Sequence, residues 1–143
     1  MKPKFEFLEH VADAYVAAYG RSLEEAFENA ALAMFELMTD TEKVEPSSSD
    51  SVVIEEYDEK ALLYSWLEHL LLRFEIEGKV YAKFRVDQLL RTSKGWKMSA
   101  TAFGEQFDPA RHASKVEVKA VTYHQMEINR ENNGYVVKFI LDL

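Results

Sequence analysis

The spacing of apolar residues changes at Gly78, and this change constrains the fold more than any other feature of the sequence. Before Gly78, apolar residues recur at helical spacing in two long segments. After it, they alternate with polar residues in the way that is typical of β-strands. The sequence therefore predicts an α+β fold in which two amphipathic helices pack on a mixed, mostly antiparallel sheet.

The two predicted helices have recognisable ends. Ser22 begins a capping-box pattern, and the apolar spacing that follows predicts a helix over 22–39. Asp58 is the expected N-cap of a second helix over 59–77, and Gly78 is its expected C-terminal stop. Each helix has one wide apolar face, which is the form that a helix takes when it covers a sheet.

The remaining segments predict strands, separated by a surface loop over 40–50. Strands are expected at 5–8, 15–19, 51–57, 80–86 and 96–102, from about Lys115 onwards, and at 135–143. The pair Asn133-Gly134 favours a type I′ hairpin, and a two-residue loop there would set Met126 opposite Leu141 and Gln125 opposite Asp142. The predicted order is roughly β-β-α-β-α-β-β-β-β in a single domain over 1–143.

Composition narrows the class of protein. The 143 residues include no cysteine, which excludes disulfide scaffolds, cysteine nucleophiles and iron–sulfur clusters and suits a reducing, cytoplasmic setting. No apolar run is long enough to cross a bilayer, and the start of the chain does not resemble a signal peptide, so no membrane association is expected.

The charge is acidic and unevenly distributed. The net charge of −8 is a poor match for free nucleic acid. Residues 1–78 hold 18 acidic and 6 basic residues, whereas residues 79–143 hold 7 acidic and 11 basic residues. Such asymmetry more often reflects acidic solvent-facing helices beside basic strands than a binding face.

The sequence has no familiar catalytic signature, but its C-terminal end concentrates oxygen donors. Phosphate-loop, dinucleotide-binding, HExxH and GxSxG patterns are missing, and the four histidines lack the spacing of a zinc site. The Asp142 carboxylate and the Leu143 α-carboxylate lie within one residue, and a sheet that brought Asp13 nearby would add a third group. Hard oxygen donors favour calcium, magnesium or manganese. The alternative interpretation is that Asp142 and Leu143 are ordinary exposed terminal groups.

Six segments of the chain together form a recognisable pattern: FEFLEHVADAYV at 5–16, YGRSLEEAFENAALAMFELMTD at 19–40, DEKALLYSWLEHLLLRFEIEG at 58–78, GEQFDPARH at 104–112, KVEVKAVTYHQMEI at 115–128 and FILDL at 139–143. Within them, VKAVTYH and the terminal Asp-hydrophobic pair are the most specific parts. In sequence and in order along the chain, these segments resemble the archease family, small cofactor-like proteins of tRNA-splicing ligation.

The resemblance implies a function. Members of this family activate the GTP-dependent RNA ligase that joins tRNA exons with 3′-phosphate and 5′-hydroxyl ends, by promoting guanylylation of the ligase and multiple turnover. It implies an activator and not an enzyme, with the ligase as partner and tRNA contacted indirectly or weakly. The implied metal site maps onto Asp13, Asp142 and Leu143, with calcium as the first expectation and magnesium or manganese as alternatives.

The resemblance also draws attention to neighbouring residues and to one departure. His10, Lys119 and His124 are expected functional neighbours, although Lys119 could instead pair with a local acid and the histidines could be structural. The family's first motif usually reads His-Thr-Ala-Asp followed by a glycine-containing turn. Here Val11 replaces the threonine and Ala14-Tyr15-Val16 replaces the turn, which puts the local backbone geometry in question.

Two other classes of function stay open at this stage. A chaperone-like adaptor would bind many unfolded proteins and would not need Asp13 or Asp142. A stand-alone metal-dependent phosphohydrolase would turn over a phosphate ester without a ligase, but the sequence offers no phosphate-binding loop for it.

Overall fold

A computed structural model describes residues 2–8 and 13–143 of the chain. Within these residues the chain forms seven strands and two α-helices in the predicted order, so the α+β prediction is confirmed. The elements are β1 (Phe5–Leu8), β2 (Asp13–Gly20), α1 (Leu23–Met38), a 3-10 helix (Thr41–Lys43), β3 (Ser48–Glu56), α2 (Glu59–Glu77), β4 (Lys79–Thr92), β5 (Gly95–Gln106), β6 (Ala120–Glu131) and β7 (Gly134–Asp142). The predicted loop over 40–50 is therefore shorter than expected, because it contains the 3-10 helix and the start of β3.

The described strands divide into two sheets, a division that the sequence pattern does not reveal. One sheet has the order β1-β2-β7-β6 and the other has the order β3-β5-β4, with antiparallel neighbours in both. Each helix contacts both sheets: α1 packs on β2, β7 and β4, and α2 packs on β6, β3 and β5. The helices therefore share one hydrophobic core with both sheets.

The helix ends follow the predicted capping chemistry. The Ser22 hydroxyl accepts the N–H of Glu25, and the Asp58 carboxylate accepts the N–H of Ala61. Gly78 adopts a left-handed conformation with φ of 70° and donates its N–H to the Phe74 carbonyl, which closes α2. Both helix starts and the end of α2 are thus fixed by local sequence.

The core holds the two helices against each other. Trp66 of α2 is fully buried, and its indole N–H donates to the Phe27 carbonyl of α1 at 2.9 Å. Phe35 meets Tyr81 edge to face and packs beside Phe84, which joins α1 to β4. These contacts fix the position of α1, which also packs on β2 and β7.

The predicted hairpin register is wrong. β6 and β7 turn at Asn132-Asn133, with Glu131 opposite Gly134. A bulge at 123–126 then shifts the register, so Leu141 faces Val121 and not Met126, and Asp142 faces Ala120 and not Gln125. Gly134 belongs to β7, where a side chain would collide with the Gly20 carbonyl.

The strand expected from Lys115 starts five residues later, at Ala120. Residues 115–119 run instead past the end of α1. The Lys115 N–H donates to the Met38 carbonyl at 3.0 Å, and the Val116 N–H donates to the Leu37 carbonyl at 3.1 Å. The last carbonyls of a helix lack partners within the helix. This segment therefore supplies donors to α1 before it joins the sheet.

Candidate functional site

Asp13 and Asp142 lie directly opposite each other on the adjacent antiparallel strands β2 and β7. Their neighbours Ala14 and Leu141 belong to the buried core. Because successive side chains of a strand point to opposite faces, the two aspartates point away from that core. Asp13 is half-buried and Asp142 is exposed. The structure thus brings together two carboxylates that are far apart in the sequence.

The strand end at Asp142 is held from both sides. The Lys119 N–H donates to the Asp142 carbonyl at 2.7 Å, and Ala120 is the register partner of Asp142 on β6. Leu143 is half-buried and packs against the hydrophobic core. These contacts keep the backbone after Asp142 in place beside β2, so the position of its carboxylate is well defined.

Of the three predicted functional neighbours, Lys119 and His124 lie in different surroundings. The Lys119 side chain is exposed, one residue before the partner of Asp142. His124 is also exposed and lies within the bulge of β6, next to Gln125, whose φ is 54°. His10 lies outside the described residues. The structure therefore brings Lys119 to the strand end, and it places His124 on an irregular segment of the same strand.

The departure at Ala14-Tyr15-Val16 leaves the described strand regular. These residues pair in unbroken antiparallel register with Leu141, Ile140 and Phe139. The loss of the glycine-containing turn therefore does not displace Asp13 from its position opposite Asp142. Val11, the other departure, lies outside the described residues.

The site can attract a cation. Like charges directly opposite each other on antiparallel strands destabilise the sheet unless something neutralises them. Among residues 2–8 and 13–143, no three Asp, Glu or His side chains form a cluster that could hold a metal ion. A metal at this strand end would therefore need a donor beyond the two aspartate side chains.

A second polar cluster, which sequence analysis did not single out, is formed by Glu105, Arg111 and His112. The Glu105 carboxylate accepts the Glu45 N–H, an Arg111 N–H and the Nε2–H of His112. The His112 Nδ1 accepts the N–H of Asp108, so the proton must lie on Nε2. The bonds from Glu45 and Arg111, with that from His112, lower the pKa of Glu105 to about 2.

This cluster is structural. Gln106, beside it, donates its side-chain amide to the Glu77 carbonyl at the end of α2, and Phe107 packs edge to face on Phe74. His112 is 3% exposed, and its ring packs at a tilt against Phe107, with 5.6 Å between the ring centroids. The segment 104–112 therefore binds both the end of α2 and the loop at Glu45 through hydrogen bonds. In the sequence, the signal that could have revealed this cluster is the Glu-x5-Arg-His pattern of Glu105, Arg111 and His112.

Within the part of the chain that the structure describes, neither helix combines the length and the apolar character needed to cross a bilayer.

Comparisons with known proteins agree in family. The sequence model of the archease protein family matches residues 5–143. The archease of Sulfurisphaera tokodaii is 47% identical over 140 residues, which cover 98% of this chain and 99% of that protein. The archease of Aeropyrum pernix is 45% identical over 135 residues, covering 94% of each.

Two solved structures are similar to the fold described above. The solution structure of Methanobacterium thermoautotrophicum protein 1598 has a TM-score of 0.85 and 44% sequence identity, and covers 98% of this chain and 99% of its own. The crystal structure of a Thermotoga maritima archease, described as a possible chaperone, has a TM-score of 0.59. The match covers 100% of this chain and 97% of that chain. At 19% identity it supports the fold alone. With near full-length coverage in sequence and in structure, this chain belongs to the archease family.

Proposed function

We propose that this protein activates the GTP-dependent RNA ligase of tRNA splicing, by promoting guanylylation of the ligase and multiple-turnover joining of exons. The carrying observation is the cross-strand pair of Asp13 and Asp142, which is the arrangement of oxygen donors that the family resemblance implies. Membership in the archease family supports the same proposal.

The proposed cofactor is a divalent metal ion held by the carboxylates of Asp13 and Asp142 and by the main-chain carboxylate of Leu143. Calcium is the first candidate, with magnesium or manganese as alternatives, because all the donors are hard oxygens. The packing of Leu143 against the core supports this assignment, since it fixes the position of Leu143 next to Asp142. A bound cation would supply positive charge next to a partner's phosphoryl-transfer site.

In this proposal the chain's own residues position the site and do not carry out the ligation. The N–H of Lys119 fixes the carbonyl of Asp142, and its exposed ammonium is available to a partner's phosphate or carboxylate. His124, exposed on the bulge, and His10 are proposed to contact the partner. We propose a non-enzymatic activator, which is what the family resemblance implies.

The proposed partner is the ligase and not free RNA. A net charge of −8 opposes binding to a polyanion, and the exposed Asp142 adds to this repulsion. Contact with tRNA would then be indirect or weak, within a complex that the ligase assembles. We also propose a cytoplasmic location, which the complete lack of cysteine supports.

The experiment is a ligation assay at single and at multiple turnover, with the ligase substoichiometric to tRNA exons. We expect repeated turnover only when this protein is present, and no joining by the protein without the ligase. Equal multiple-turnover ligation with and without the protein would contradict the proposal.

The same samples separate the two other classes of function. A chaperone-like adaptor, the role suggested for the Thermotoga protein by its description, would suppress aggregation of unrelated unfolded proteins and would tolerate loss of Asp13 or Asp142. A metal-dependent phosphohydrolase would release phosphate from an ester without the ligase. Either result, combined with no ligase activation, would replace the proposed function.

A further inference from the structure

A groove of about 1200 Å³ lies at the end of β2 and β7 remote from Asp13 and Asp142. Its boundaries are α1, the tip of the β6–β7 hairpin and β4. The groove has apolar surface from Leu32, Phe84, Tyr19 and Tyr135. It is separate from the proposed metal site, so an inference about it does not depend on the proposed function.

One wall of the groove is an open sheet edge. Among the described strands β4 pairs with β5 alone, and Ala82, Lys83 and Phe84 of β4 line the groove. The Val86 N–H points to this open side, because it donates to the Glu28 carboxylate of α1 at 2.8 Å. The register is regular from 83 to 86, so the N–H of Phe84 points to the same side as that of Val86.

Glu28 shows which kind of group can bind to this edge. Its carboxylate takes the place that a neighbouring strand's carbonyl would occupy, and it does so for one donor of the edge. The adjacent main-chain groups at Phe84 open to the groove, where an extended chain could pair with them. Unpaired sheet edges are templates for strand addition.

The charges of the groove select the kind of segment. Lys2 is paired with Glu131 at 2.9 Å and Arg21 with Glu25 at 3.4 Å. Lys4 and Lys83 also line the groove, and neither forms an ion pair with another described residue. Both Lys4 and Lys83 are exposed. Lys83 also lies over the Phe103 ring, 5.5 Å from its centroid. Exposed cations beside apolar surface favour an occupant that carries acidic and apolar side chains in alternation.

We propose that an extended segment of a partner protein, with alternating apolar and acidic side chains, adds to the open edge of β4 in this groove. The main-chain groups of the segment pair with those at Phe84. Its apolar side chains pack on Leu32 and Phe84, and its acidic side chains face Lys4 and Lys83. RNA is the poorer occupant, because an open sheet edge pairs with the main-chain amides of an added strand, and RNA has none.

The probe is a panel of synthetic peptides of about eight residues that alternate glutamate with valine, leucine or tyrosine, each capped by proline against self-association. Binding to the full chain is followed by amide spectra and hydrogen exchange. We expect protection of the Phe84 amide. N-methylation of the edge-facing peptide amides should weaken binding about tenfold for each hydrogen bond lost.

Matched variants locate the binding site. Lys83→Glu should weaken binding of the acidic peptides about tenfold, whereas Lys94→Glu, the same change in the exposed turn between β4 and β5, should leave it unchanged. Lysine-containing versions of the peptides should bind Lys83→Glu better than the wild type.

Four outcomes would overturn the proposal. They are binding by no acidic peptide of the panel, equal binding by the N-methylated peptides, and protection of Phe84 that rises with protein concentration alone, which would identify a second copy as the occupant. The fourth is a single-stranded RNA that perturbs the same amides more strongly than the peptides do.

Discussion

At the scale of single residues, the notable feature is that two aspartates face each other where most sheets would place complementary or neutral side chains. Local propensity does not explain this pair, since aspartate is disfavoured in strands. A pair retained against both preferences is typical of a functional site, where local structure is less favourable than the fold alone requires.

Asp142→Asn should therefore have opposite effects on stability with and without metal. In chelator the variant should be more stable than the wild type by about 0.5 kcal/mol, because a facing like charge is removed. In calcium the wild type should gain stability that the variant lacks. Urea unfolding in both conditions measures this difference. Glu55→Gln, an exposed charge on β3, is the matched control and should show neither effect. Equal calcium stabilisation of Asp142→Asn and wild type would contradict the assignment.

The ionisation of Glu105 should make the free energy of unfolding depend on pH. The pKa of Glu105 lies at about 2 in the folded chain, below the usual value of 4.5, chiefly because of the N–H of Glu45 and the Arg111 and His112 bonds. The carboxylate therefore contributes stability above pH 4.5, and this contribution is lost as the pH falls towards 2.

Glu105→Gln should consequently destabilise the protein at pH 7 by about 1 kcal/mol, a value reduced because part of the cluster is in contact with water. The difference from wild type should shrink below pH 4.5 and vanish near pH 2. Unfolding midpoints across this range measure it. A difference that persists unchanged at the lowest pH would contradict the proposed role of the ionised carboxylate.

At the scale of elements, β4 and β5 depend on a glycine at their closest approach. A side chain at Gly104 would collide with the Val80 carbonyl, next to the irregularity of β4 between Tyr81 and Lys83. Gly104→Ala should destabilise the protein by about 2 kcal/mol, because backbone atoms cannot move aside cheaply. Ser99→Ala, on the same strand, should change stability little. A thermal unfolding midpoint for Gly104→Ala equal to that of wild type would contradict this reading.

The helices are the elements that sequence predicts best. Ser22, Asp58 and Gly78 act through contacts within a few residues, so their chemistry is visible in the sequence itself. The strand that was expected from Lys115 shows the limit. Its first residues bond to the end of α1, and nothing in the local alternation of side chains reveals that contact.

The hairpin register shows the same limit more sharply. The sequence pattern places Gly134 in the turn, whereas in the structure it belongs to β7, where the Gly20 carbonyl leaves no room for a side chain. The bulge at 123–126 is likewise a property of the assembled sheet. In the candidate site, Asp142 could be singled out from sequence, whereas its placement opposite Asp13 depends on the β2–β7 pairing. The Glu105 cluster was missed because its members meet only after the chain has folded.

At the scale of the whole molecule, two candidate surfaces lie at opposite ends of β2 and β7. Asp13 and Asp142 mark one end, and the groove beside Tyr19 and Tyr135 marks the other. One partner could therefore contact the site while an extended segment occupies the groove. β2 and β7 pair without interruption from Asp13 to Gly20, so the two surfaces are separated by the length of these strands.

Free tRNA should bind the isolated protein weakly. A net charge of −8 leaves only local basic patches for phosphate contact. Such binding weakens steeply as the salt concentration rises, because the release of counterions from the RNA is then less favourable. Titration of labelled tRNA at increasing salt measures this. Tight binding that is insensitive to salt would show that RNA itself, and not the ligase, is the primary partner.

The most direct test of the account is multiple-turnover ligation across a range of calcium concentrations. It compares the wild type, Asp142→Asn and the control Glu55→Gln, with circular dichroism to verify that each is folded. We expect the wild type and Glu55→Gln to activate the ligase, and we expect Asp142→Asn to fail to activate it at any calcium concentration. Activation by folded Asp142→Asn equal to that of the wild type would contradict it.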